Sequence, residues 1–332
     1  MKILAVSFLG SVLVTAMTWV LGKRFGIHDI PNQRSSHTIP KVRIGGVGFI
    51  VVFYVVLKGL SWFNILLPWR FLAIAAAVAL LGLADDFFKL SPKLRLALQV
   101  LASGAVVMLG VRLESLALWG YEWSAPVWVL QGLSFVWMLG CINMYNFMDG
   151  ADGLAGGFGI LLCFFLYFLT PVGWHPYRVA LLALAGALAG FLLFNFHPSK
   201  IFMGDVGSTF LGFFFGLYVL LIARDLSQVL VPMIMLMSPF LWDSFYTFGR
   251  RAWQRKPVWQ AHREHLYQWL IISGISHGQV AGLYYGWTLF CGLMALLYQY
   301  GSRVLEVTVL LMTILMALGV TLGVKQYSKK HD

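Results

Sequence analysis

From Met1 to Val324 the chain passes through one long apolar stretch after another, with only short polar gaps between them. Crossing the hydrocarbon core of a bilayer takes roughly 20 mostly apolar residues, and a helix does it with every backbone polar group satisfied internally. Such stretches leave few folds open, and an all-α integral membrane protein is expected. A soluble domain carries charge on about a quarter of its residues; here 11% of 332 residues are charged and 60% are apolar. Eleven spans are expected, near 2–22, 46–60, 70–84, 94–110, 126–143, 158–171, 179–194, 206–223, 228–246, 279–299 and 304–324. No linker, low-complexity run or internal repeat divides them, so 1–332 reads as a single polytopic domain. Cys141, Cys163 and Cys291 sit singly inside apolar segments, without disulfide or zinc spacing.

Charge sets the expected orientation. Lys2 alone precedes the first apolar run, whereas Lys23 and Arg24 follow it, the reverse of a cleavable signal peptide. The positive-inside rule then puts the N-terminus outside and, after eleven crossings, the C-terminus in the cytoplasm. On this map 17 of the 24 Lys and Arg residues fall inside, which accounts for the net charge of +11 without nucleic acid as a partner. Asp29, Asp85, Asp86, Asp149, Asp152, Asp205, Asp243 and Glu264 map to that same face, as do His28, His37, His197, His262, His265 and His277. Carboxylates near the ends of membrane spans are costly and usually functional. The active-site segments are therefore expected at 23–45, 85–93, 144–157, 195–206 and 248–278, on the cytoplasmic face of the inner membrane.

Four segments carry the candidate chemistry. In GLADDFFKL, Asp85 and Asp86 are adjacent carboxylates that repel unless a cation or proton intervenes; the plainer reading is a helix cap with an Asp85 to Lys89 ion pair. NFMDGADGLAGG, from Asn146 to Gly157, combines glycines that expose backbone amides with the oxygen ligands Asn146, Asp149 and Asp152, which suit hard cations. FNFHPSKIFMGDVGST sets Asp205 at the start of an apolar helix, where free amides favour phosphate, and Phe202 offers a flat surface for a base. WQAHREHLYQ carries His262, Arg263 and His265, and it is not the HExxH of a zinc protease. The first inner loop, DIPNQRSSHTIPKVRIGG, adds Arg34, His37, Lys41 and Arg43 as candidate phosphate-binding groups, or as an orientation-setting basic loop.

In this order and on one face, the four motifs resemble those of the polyprenyl-phosphate N-acetylhexosamine-1-phosphate transferases. The resemblance covers about residues 29–270, and the AHREHLYQ form is most similar to the branch that initiates O-antigen or other lipopolysaccharide glycans. It implies transfer of an N-acetylhexosamine 1-phosphate from a UDP-sugar to undecaprenyl phosphate, with release of UMP. It further implies Mg²⁺, with Mn²⁺ able to substitute, held by Asp205 with Asn146 nearby. Asp85 and Asp86 would lie against the lipid phosphate, and Asp149 and Asp152 complete the candidate catalytic set. His262 and His265 would contact the diphosphate or nucleotide, joined as candidate substrate-binding residues by Arg34, His37, Arg43, Lys89, Phe202 and Arg263. The expected partners are the membrane, the polyprenyl phosphate and the UDP-N-acetylhexosamine, with a homodimer as one open assembly. The loop lacks the three consecutive histidines of some branches, which leaves GlcNAc, GalNAc, QuiNAc and FucNAc donors all open. A lipid transporter or flippase would instead place polar groups near the bilayer midplane with half-repeat symmetry, and neither is present in the sequence.

Overall fold

The computed structural model describes residues 1–30, 40–63, 65, 67–119, 121–257 and 262–331. Twelve α-helices form among them: α1 (Lys2–Arg24), α2 (Gly46–Ser61), α3 (Trp69–Phe88), α4 (Pro92–Met108), α5 (Val127–Met148), α6 (Leu154–Leu169), α7 (His175–Asn195), α8 (Gly204–Asp225), α9 (Leu230–Trp253), α10 (Leu266–Ile272), α11 (His277–Tyr300) and α12 (Arg303–His331). Eight helical segments are long and apolar enough to cross a membrane, while α2 and α6 are apolar but shorter. The chain is a multi-pass helical membrane protein. Each expected span falls on a helix, and α10 is a short addition within the 248–278 segment.

Helix α8 is the centre of the bundle, packed against α3 and α5. Of its most apolar stretch 94% is buried, against 22% for α1 and 28% for α12, which lie at the periphery. The outer helices invert the pattern of a soluble protein. On α1 the buried residues are Ser7, Ser11, Thr15, Thr18 and Gly22, while Leu9, Leu13, Met17 and Val20 point outward. Lipid is as apolar as leucine, so helices associate in it through small residues that let backbones approach closely. The α1 stripe meets α7 in this way: a Cβ on Gly190 would come within 2.5 Å of the Phe8 carbonyl, and one on Gly186 would strike that of Leu4.

One end of the bundle collects the polar groups. The C-terminal ends of α3, α5 and α7 meet the N-terminal ends of α4, α6, α8 and α11 there. A short antiparallel pair, β1 (His28–Asp29) and β2 (Lys41–Val42), closes over this end. Val42 also bridges in parallel to Ile201, so the first loop is stitched to the segment entering α8. At the opposite end β3 (Leu116–Leu118) and β4 (Tyr121–Trp123) form a hairpin whose Glu122 accepts from Ser227.

The helices extend into several segments expected as loops. Asp85 and Asp86 are in the last turn of α3, Asn146 in that of α5, and α9 continues to Trp253. The physical reason is local satisfaction: these polar side chains face other helix ends, and the helix need not stop to reach water.

Candidate active site

Strand alternation at β2 starts the site. Val42 is buried, and the flanking Lys41 and Arg43 project to the same side. Arg43 reaches three carboxylates: Nε lies 2.8 Å from Asp86 Oδ1, one terminal nitrogen 3.2 Å from Asp205 Oδ2, and the other 4.0 Å from Asp29. Lys41 reaches Asp152 at 3.4 Å and donates to Ser199 Oγ at 2.9 Å. Its ammonium also lies 4.9 Å over the Phe202 ring.

Asp86 is the organiser of the α8 entry. Its side chain is fully buried, and its two oxygens accept the free amides of Asp205 at 2.9 Å and Val206 at 3.0 Å. A carboxylate in that place satisfies helix donors that have no intrahelical partner. The turn itself requires glycine: Gly204 has φ +74°, and a Cβ there would strike the Arg43 carbonyl and lie 2.6 Å from Asp86 Oδ2. Asp86 thus aims Asp205 while presenting no free oxygen of its own.

Asp205 and Asp85 lie against each other. Arg95, in the first turn of α4, binds Asp85 Oδ2 at 3.0 Å and approaches Asp205 Oδ2 at 3.6 Å. Asn146 donates to Asp205 Oδ1 at 2.8 Å and to Ser208 at 2.9 Å. Two touching carboxyls need positive charge between or beside them, and this all-oxygen donor set is the kind Mg²⁺ prefers. Turning the Asn146 amide over, an assignment that hydrogen-bond context decides, would add its carbonyl oxygen. Asp205, Asp85 and Asn146 therefore fit a hard divalent cation.

The glycine-rich turn after α5 holds the other two candidate acids. The side chain of Asp149 has no hydrogen-bond partner among the described residues, and burial together with Asp205, Asp86 and Asp152 pushes its carboxyl well above the usual range against the pull of Arg43. Asp152 is the reverse. Burial opposes its charge, but the Ser199 hydroxyl and amide, His197 and Lys41 hold its carboxyl below the ordinary value. Its oxygens accept from Ser199 Oγ at 2.7 Å, Ser199 N at 3.1 Å and His197 at 3.0 Å. Asp152, His197 and His277 bring one ligand atom each within 4.8 Å of one another. That mixed oxygen and imidazole set suits a softer ion than Mg²⁺, and the Asp152 amide already donates to His277 Nδ1 at 3.2 Å.

The histidine loop closes the same end. Tyr267 donates to the Phe147 carbonyl at 3.0 Å, and the His265 ring lies 5.9 Å from that of Phe147, one residue from Asn146. His262 stacks obliquely 5.1 Å from His265. Burial, His265 and Arg251 push the His262 imidazole down to about 4, so it is neutral at physiological pH. Three basic residues here converge on one acid. Glu264 pairs with Arg250 at 2.6 Å, Arg251 at 2.5 Å and Lys256 at 3.2 Å.

The structure thus gathers Asp85, Asp86, Asp205, Asn146 and Arg43 into one cluster and sets Asp149, Asp152, Phe202, His262 and His265 beside it. Lys89 is exposed and makes no ion pair among the described residues; Arg95 takes Asp85 in its place. Arg263 likewise forms no ion pair among the described residues, and Arg34 and His37 lie outside them. Sequence reasoning passed over Arg95, Ser199 and Asn195, whose side-chain oxygen accepts from the Gly153 amide at 3.2 Å. The available signal was that Asn195 and Ser199 lie inside the Phe194 to Thr209 segment and that Arg95 shares the expected inner face with the acidic pair.

Comparison with known proteins gives the family. The model of glycosyl transferase family 4 matches residues 68–223. A probable undecaprenyl-phosphate N-acetylglucosaminyl 1-phosphate transferase of Bacillus subtilis is 29% identical, over 82% of this chain and 77% of its own length. A phospho-N-acetylmuramoyl-pentapeptide-transferase of Symbiobacterium thermophilum is 34% identical, over 66% of this chain and 70% of the relative. A decaprenyl-phosphate N-acetylglucosaminephosphotransferase of Mycolicibacterium smegmatis is 29% identical, with 82% and 75% covered. The chain belongs to the polyprenyl-phosphate hexosamine-1-phosphate transferase superfamily.

Proposed function

We propose that this protein transfers an N-acetylhexosamine 1-phosphate from a UDP-sugar to undecaprenyl phosphate, releasing UMP and beginning a lipid-linked glycan. The observation that carries the reading is the contact of Asp85 with Asp205 beneath Arg43 and Arg95, at a bundle end where a lipid phosphate and a nucleotide diphosphate can meet. An oxygen of the lipid phosphate attacks the sugar-bearing phosphorus, the bond to the bridging oxygen breaks, and UMP leaves with that oxygen. Two anions must approach, so neutralisation and alignment are what the site has to supply. Arg43 and Arg95 lie where they can orient phosphate oxygens. Asp205, Asp85 and Asn146 would hold Mg²⁺, which when bound offsets the repulsion and stabilises charge on the departing phosphate. Asp149, favoured in its protonated form, can donate a hydrogen bond to a phosphate oxygen where a charged carboxylate would repel it. Phe202 under Lys41 supports a base-stacking surface, and neutral His262 can bond the diphosphate.

By the same reading, eleven helices cross the inner membrane, with the N-terminus outside and this end facing the cytoplasm; α10 lies at the surface. The form of the histidine loop favours O-antigen or another lipopolysaccharide glycan. The test is direct: purified protein is given Mg²⁺, undecaprenyl phosphate and a panel of UDP-N-acetylhexosamines. UMP should appear with at least one donor and cease on chelation. Release of UDP would mean transfer of the sugar alone, and no turnover by folded protein would favour transport.

A further inference from the structure

Asp243 lies in α9, away from the aspartate cluster, with a fully buried side chain. It is loaded with donors. Oδ1 accepts from the Leu266 amide at 2.9 Å, His265 Nδ1 at 3.1 Å and Thr247 Oγ1 at 3.3 Å; Oδ2 accepts from the Tyr267 amide at 3.2 Å and the Tyr284 hydroxyl at 2.5 Å. The two amides are obligatory donors, so both oxygens act as acceptors. The ring nitrogen facing such a group must carry the proton.

We infer that Asp243 is a positioning residue, holding His265 in the Nδ1–H tautomer so that Nε2 is the ring atom left for the substrate phosphates. Two features support this beyond the hydrogen bond. Asp243 also fixes the backbone on the far side of His265, through Leu266 and Tyr267, so ring and main chain are held from one point. The His265 amide is separately tied to the Gln268 side chain at 3.2 Å, which steadies the main chain that carries the ring. Which nitrogen of a histidine is protonated is set by the partner of the other, and loss of an orienting carboxylate impairs a functional histidine even when the ring stays in place.

This inference rests on the transfer reaction proposed above, and its experiment separates the two. Histidine-labelled protein in detergent is examined by ¹⁵N NMR, with the His265 resonances identified by their loss in His265→Ala. UMP release is then measured for wild type, Asp243→Asn, His265→Ala and the double variant, with thermal unfolding to confirm folding. The wild-type spectrum should show Nδ1 protonated and Nε2 bare, and Asp243→Asn should shift the proton to Nε2. Asp243→Asn should lower donor kcat/KM by about 10- to 100-fold, and the double variant should be no worse than His265→Ala alone. A purely structural role would multiply the two losses. An Nε2–H tautomer in the wild type, or multiplied losses, would overturn the assignment. The wild-type spectrum decides the tautomer even where Asp243→Asn does not fold. If wild type releases no UMP from any donor yet shows the Nδ1–H tautomer, the transfer reaction falls and the Asp243 to His265 arrangement stands.

Discussion

The aspartate cluster and the histidine loop are unbalanced in opposite senses. In the first, Asp85, Asp86 and Asp205 surround two guanidiniums, Arg43 and Arg95. In the second, Arg250, Arg251 and Lys256 surround the single carboxylate of Glu264. Acid in excess calls for a cation, and base in excess calls for an anion. Neither half can do the work of the other, and the transfer proposed above needs both. The three cations of the loop are clamped to Glu264, so they also act as staples that shape it.

The largest effect should come from the acidic half. Asp205→Asn removes the carboxylate at which Asp85, Arg43, Arg95 and Asn146 converge, and UMP release should fall by about a thousandfold, in line with loss of a preorganised electrostatic group. Activity within about tenfold of wild type, roughly 1.4 kcal/mol of barrier, would show that this half is not where the chemistry lies. Asp86→Ala should instead be read out as stability. Two helix amides and Arg43 Nε lose their acceptor, and unfolding in denaturant should show a loss of about 2–5 kcal/mol. A variant as stable as wild type would show that Asp86 does not hold the α8 entry together.

The basic half should respond more gently. Glu264→Gln frees three cations from their staple and loosens the loop, and the donor KM should rise about tenfold, or 1.4 kcal/mol, with kcat little changed. A change confined to the lipid KM would reassign the loop to the acceptor. The smallest effect belongs to His262. Its folded value of about 4 lies below the ordinary 6.5, so between those values the unfolded chain binds the extra proton. Its contribution is complete above about pH 6.5 and is lost as pH falls toward 4. His262→Gln should therefore narrow the difference in Tm between pH 7 and pH 5, and an unchanged difference would place His262 in water.

Much of this was legible because polar residues are so few. In an apolar chain the acids of GLADDFFKL, NFMDGADGLAGG and FMGD mark their helix ends, and the helices follow the apolar stretches. Partner choice was not legible. Lys89 stands four residues after Asp85 and invites a helix-face pair, yet the helix ends there with Lys89 itself at φ 49°, and Arg95 arrives from the next helix. Asp243 and His265 are separated by 22 positions, and no periodicity links them, since α9 must end and the chain return before they meet. The division of labour between Asp85 and Asp86 was also hidden. Adjacent residues on a helix point about 100° apart, and only the placement of α8 decides which one caps it.

The hydroxyl stripe of α1 bears on how the protein is made. Its partner α7 begins at His175, 151 positions beyond Arg24, which a ribosome adding about 5–20 residues per second reaches after roughly 8–30 s. Until then α1 can pair with α2, whose Gly48 packs on Thr15, while Ser7 and Ser11 have no α7 to face. Even in the finished fold those hydroxyls find no hydrogen-bond partner among the described residues, so what finally secures the helix is the fit of backbone on backbone at Gly186 and Gly190. Docking of the first helix on α7 comes late in biogenesis, timed by translation.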